Sequence, residues 1–113
     1  MANIVAKYIM EKRDIRQKAK DIWAEALKIT DLENALYEVH SGRVCQCIQD
    51  EMYERSGKVR EEIAGMSDKQ RVSVLNQIVR LSDKEYKTDR YEVDIRNASR
   101  YVDIVFGEQM ERE

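Results

Sequence analysis

The chain has 113 residues, 37% of them Asp, Glu, Lys or Arg and 42% apolar, with a formal net charge of −2. That length suits one domain spanning residues 1–113, while the near-neutral charge supplies no global field for DNA, RNA or an anionic membrane. No proline and only four glycines remove the punctuation of all-β and loop-rich folds, and the high charge content calls for helices with solvated outer faces.

The N-terminal stretch MANIVAKYIMEKRD has no long apolar run and no small-residue cleavage site, so neither a signal peptide nor a membrane span is expected. A first helix is predicted over about residues 3–29, because Ile4, Tyr8, Ile15, Ala19, Ile22, Ala26 and Ile29 are spaced by sums of threes and fours. Its charges are sorted by face. Lys12, Arg13, Arg16 and Lys20 fall within an arc of roughly 100° shared with Val5, Ile9, Trp23 and Leu27, whereas Asp14, Asp21 and Glu25 lie across the apolar stripe. Lys12, Arg13, Arg16, Lys20 and Trp23 therefore form a candidate patch for a protein partner with an acidic surface. The alternative is pairing with the chain's own acidic middle, residues 31–66, where eight acids face four bases.

Thr30 with Glu33 has the form of a capping box and predicts a second helix from Asp31 to about His40, through Leu32, Leu36 and Val39. Ser41-Gly42 is a break or a kink before a third helix over about residues 43–64, carrying Val44, Ile48, Met52, Val59 and Ile63. Cys45 and Cys47 are the only cysteines, which excludes a disulfide framework and fits a reducing cytoplasm. With His40 they invite a zinc or cysteine-nucleophile reading. Helical residues two apart point roughly 200° from each other, however, so the pair is read as small packed side chains, and neither metal, cofactor nor catalysis is expected.

Gly65 suits a left-handed position past the third helix, with Met66 making the accompanying apolar contact. Ser67 and Gln70 form a second capping box, opening a helix over about residues 68–81 with Val72, Leu75, Ile78 and Val79 inward. Ser82 and Glu85 form a third box. A helix-turn-helix reading of RVSVLNQIVR followed by LSDKEYKTDRYEV would bring Lys84, Lys87, Arg90 and Thr88 to DNA, yet Asp83, Glu85, Asp89 and Glu92 would accompany them, so nucleic acid is possible but not favoured.

The segment YEVDIRNASRYVDIVFG reads either as a C-terminal hairpin at about 91–106, making an α+β fold, or as part of one helix over about 83–110. An isolated hairpin is marginal and no third strand is visible, so the helix is preferred. Its core stripe is Tyr91, Ile95, Ala98, Val102, Val105 and Phe106. Tyr86, Val93, Tyr101 and Ile104, interrupted by Asn97, form a second stripe that needs cover, read as a self-association interface in a two-fold dimer. The expectation is an all-α bundle of four to five helices acting without catalysis, as a regulator or inhibitor that occupies a macromolecular surface; the alternatives are a DNA-binding helical transcription regulator and a small-ligand or nucleotide-binding protein.

Overall fold

The computed structural model describes residues 2–110, with side chains described for Ile9 and for residues 11–110; Ile4, Val5 and Tyr8 lie outside the described side chains. Four helices account for nearly all of it: α1 Ala2–Leu36, α2 Gly42–Ala64, α3 Asp68–Glu85 and α4 Glu92–Met110. No strand occurs among the described residues, so the C-terminal segment is helical and the hairpin is excluded. No helix among them is long and apolar enough to cross a membrane.

The helix α1 is the organising element. Its 35 residues, at 1.5 Å of rise each, set the long axis of a molecule measuring 61 × 33 × 23 Å. It packs against each of the other three, and α4 packs against α2 and α3, which leaves those two on either side of an α1–α4 centre. One hydrophobic cluster draws on all four helices: Ala19, Ile22, Trp23, Ala26 and Leu27 from α1, Val59 and Ile63 from α2, Val74 and Ile78 from α3, and Ile95, Ala98, Val102, Val105 and Phe106 from α4. The stripe expected on the last helix is thus the buried one, apart from Tyr91, which precedes α4 and is exposed.

Two of the three expected helix starts do not exist. Thr30 lies inside α1, buried, and its hydroxyl donates to the Ala26 carbonyl at 2.9 Å instead of accepting from a first-turn amide. The first two expected helices are therefore one, which ends at Leu36. Ser82 behaves in the same way within α3, donating to the Val79 carbonyl at 3.0 Å. The single helix expected over about residues 83–110 is divided as well, because α3 continues to Glu85, residues 86–91 form a turn and α4 begins at Glu92, which also breaks the segment LSDKEYKTDRYEV. Thr88 there donates to the Glu85 carbonyl at 2.7 Å and Arg90 pairs with Asp31 at 2.8 Å, so no helix-turn-helix unit is formed.

The Ser67 box is real: the Ser67 amide donates to Gln70 Oε1 at 3.0 Å and the Gln70 amide donates to Ser67 Oγ at 3.2 Å. Ser41 caps α2 by accepting from the Val44 amide at 3.5 Å, which makes Ser41-Gly42 a break. Gly65 is not left-handed; at φ −75° and ψ −7° it extends the helical path, and its amide donates to the Glu61 carbonyl at 3.1 Å. Arg71 adds to this backbone capping, donating to Ile63 and Ala64 oxygens at 3.0 and 3.2 Å, while the Met66 amide also donates to the Ile63 oxygen at 3.1 Å. Met66 is buried beside them, as expected of the residue that closes this corner.

The flanking helices are tied to the centre by polar contacts at the rim. Arg55 Nη1 on α2 reaches both carboxylate oxygens of Glu25 on α1 at 3.1 and 3.0 Å, and Arg60 Nε donates to Glu108 on α4 at 2.9 Å. Arg55 is held protonated above its usual range by hydrogen bonds to Glu25 and Glu51. Glu62 is the contrary case. Burial, then the nearby Asp21 carboxylate, raises its pKa, so the folded state holds this proton more tightly than the unfolded chain. Its ionisation therefore subtracts from stability as pH rises through the carboxylate range. Glu62→Gln is expected to raise the thermal midpoint at pH 7 and to leave it unchanged near pH 3; a fall at pH 7 would contradict the sign.

Candidate functional site

The sequence placed a cationic arc on α1, and the fold gives that arc a second wall. α3 lies along α1, and between them is a cavity of about 600 Å³ lined by Arg16 and Lys20 from α1 and by Gln77, Arg80, Leu81, Asp83 and Lys84 from α3. Arg16 and Lys20 are one turn apart on α1, and Gln77, Arg80, Leu81 and Lys84 follow the i, i+3, i+4, i+7 pattern that marks one flank of a helix. Four cations and one carboxylate thus surround a single space. A cavity of this size is on the order of 10 Å across, about one Debye length at physiological salt, so the four charges act together on anything entering it.

All four cations are exposed. None takes part in an ion pair among the described residues. Arg13, next to the groove on α1, is exposed and likewise forms no ion pair, and Lys12 is exposed on the same helix. Pairing with the acidic middle, the alternative reading of this arc, does not occur for Arg13, Arg16 or Lys20. Three of those acids have other partners: Asp31 takes Arg90, Glu51 takes Arg55 and Glu54 takes Lys58.

Trp23 departs from the expected patch. It is 5% exposed and belongs to the core, with its indole N–H directed to Glu85 Oε1 at 3.4 Å. Leu27, one turn on, is buried as well. The last turn of α3 covers this part of the α1 face, and the groove opens only nearer the α1 N-terminus. Arg80 is the cation of this groove that the sequence did not single out. Its spacing from Gln77 and Lys84 was readable, but only the docking of α3 against α1 brings it to Arg16 and Lys20.

The expected self-association stripe is divided. Val93 and Ile104 face outward on α4, each 52% exposed, and Asn97 is exposed between them, not buried as a register-fixing residue would be. Tyr86 belongs to the end of α3, where it is partly exposed. Tyr101 is turned inward: it packs on the core, its hydroxyl lies 2.7 Å from Ser56 Oγ, and burial raises its pKa. Two further apolar residues join the outer surface, because Val72 and Val79, expected inside, are about half exposed while Val74 and Ile78 are buried.

The fold does not bring His40, Cys45 and Cys47 together as a metal-holding group. His40 and Cys47 are exposed, whereas Cys45 is half-buried with Sγ 3.7 Å from the Val39 carbonyl. None of the three lines the cationic groove. No group of three or more His, Cys, Asp or Glu side chains among the described residues is placed to hold a metal ion. No protein-family model matches the chain, and no curated protein or solved structure matches it.

Proposed function

We propose that the protein acts by binding and not by catalysis, as a regulator or inhibitor that captures an acidic segment of a protein partner in the α1–α3 groove and self-associates through its outer α3–α4 surface. The observation that carries the reading is the set of four cations, Arg16, Lys20, Arg80 and Lys84, lining one cavity with a single carboxylate, Asp83, and forming no ion pair among the described residues. Isolated surface charges are ordinarily solvated, but charges from two helices converging on one concavity favour a polyanionic surface and speed its capture. The two free cysteines support a reducing, cytoplasmic setting.

Affinity capture from the native host's lysate, with and without nuclease, tests the class of partner. An acidic protein retained after nuclease treatment is the expected result. Loss of all capture on nuclease treatment, with retention on duplex DNA that falls steeply with salt, would replace this reading with nucleic-acid binding. Self-association has its own test. Val93 and Ile104 are half exposed, so a double change to glutamate should spare the fold while burying charge in any interface formed there. Sedimentation equilibrium is expected to show a dimer reduced to a monomer; a dimer that survives both glutamates would place the interface elsewhere.

A further inference from the structure

A second cavity, of about 660 Å³, opens where the C-terminal turns of α1 meet α2 and α4. Its volume is in the range of about 300–1,000 Å³ common to small-molecule sites. Three tyrosines line it, Tyr37, Tyr53 and Tyr101, together with Met52 and two charged residues, Glu33 and Arg60.

The polar groups here are unequally engaged. Arg60 gives Nε and Nη2 to the two carboxylate oxygens of Glu108 at 2.9 and 3.4 Å, so its charge is neutralised. The Tyr101 hydroxyl is held by Ser56 at 2.7 Å. Glu33 is exposed and forms no ion pair among the described residues. Tyr37 and Tyr53 are 80% and 84% exposed, two large rings standing in water at the edge of an apolar cleft. The surrounding segment, residues 31–66, carries eight acids and four bases. Three of those bases, Arg55, Lys58 and Arg60, are already paired. The one cation in the lining, Arg60, is already engaged by Glu108, so an anion would have to compete for it. A cation would meet the Glu33 carboxylate and tyrosine side chains, a residue type whose ring face attracts ammonium groups.

We infer that this cleft binds an organic cation, a quaternary or substituted ammonium group on an apolar stem, held by Tyr37 and Tyr53 with Glu33 as its counter-charge. The site lies apart from the cationic groove and does not depend on the function proposed for it. The same chemistry is offered by a free amine and by a methylated lysine side chain on a partner.

Titration of the isotopically labelled full chain, followed by amide NMR, tests the inference with choline, with its uncharged isostere 3,3-dimethylbutan-1-ol, and with a short neutral peptide containing trimethyllysine. The expected result is choline-induced shifts centred on Tyr37, Met52 and Tyr53, with the uncharged isostere about fivefold weaker. Glu33→Gln and Tyr53→Ala should each weaken choline about three- to tenfold. Both positions are exposed, so folding is not at stake, and Arg16→Glu should leave choline binding unchanged. A peptide that binds more tightly than choline identifies a partner's side chain as the source, and the reverse order identifies a free cation; both satisfy the stated chemistry. Equal binding of the uncharged isostere, shifts centred elsewhere, or no shifts at concentrations on the order of 10 mM would overturn it.

Discussion

Phe106→Ala is expected to destabilise the protein by about 3–5 kcal/mol, the range for truncating a fully buried aromatic side chain. Phe106 is 1% exposed and is the largest of the completely buried side chains among the described residues, in the core cluster shared by all four helices. Its removal leaves a void that neighbours such as Ile22 and Val102 cannot fill without moving whole helices. Small domains have only about 5–15 kcal/mol in hand, so the variant should stand near the edge of folding. Urea unfolding followed by circular dichroism should show the midpoint fall with little change in slope, and the thermal midpoint should drop by about 10–20 °C. Ile104→Ala, on the outer side of the same helix, should change stability by no more than about 0.5 kcal/mol when monomeric. A loss at Phe106 below about 1 kcal/mol would be incompatible with its burial in the core.

The contrast between these two positions was legible in the sequence, because α4 carries its core at Ile95, Ala98, Val102, Val105 and Phe106 with unbroken helical spacing. Helix starts were less legible. Thr30-Glu33 and Ser82-Glu85 have the same form as Ser67-Gln70, yet only the last caps a helix. The difference lies in phase. Thr30 follows Ala26 by four residues and Ser82 follows Ile78 by four, so each hydroxyl sits on the buried stripe of a continuing helix and turns back to a carbonyl of the preceding turn. Ser67 comes after the corner at Gly65 and Met66, out of phase with what precedes it, and its oxygen is free to accept a first-turn amide.

The phase of α3 explains the other misreading. Val72 and Val79 were grouped with Ile78, but the buried set is Val74, Ile78 and Ser82, strictly four apart. A polar serine on that stripe disguised it, and rotating the helix by roughly 100° exchanges which valines are inside. The same rotation sets Gln77, Arg80 and Lys84 on the flank toward α1. The groove could not be read from either helix alone, since each contributes half of it. The molecule is consequently polar from side to side: cations gather in the α1–α3 groove, while the α1–α2 side carries an excess of acids over bases.

Reversing two of those cations, in Arg16→Glu with Arg80→Glu, changes the groove from four cations and one acid to two cations and three acids, that is from +3 to −1. Both arginines are exposed and form no ion pair among the described residues, so stability should stay within about 0.5 kcal/mol of the parent. Capture of an acidic partner is expected to weaken about 10- to 100-fold at low salt, chiefly through slower association, because charge at a rim acts on encounter more than on dissociation. The difference between parent and variant should shrink as the Debye length contracts toward about 3 Å near 1 M salt. Arg16→Lys with Arg80→Lys separates charge from geometry. If the field of the groove is what matters, the lysine pair keeps most of the affinity; if flat guanidinium forks on carboxylates matter, it loses much of it. Surface plasmon resonance on the captured partner measures all three proteins in one series. Equal association rates and equal salt dependence in the parent and the glutamate variant would remove the groove as the partner's landing site.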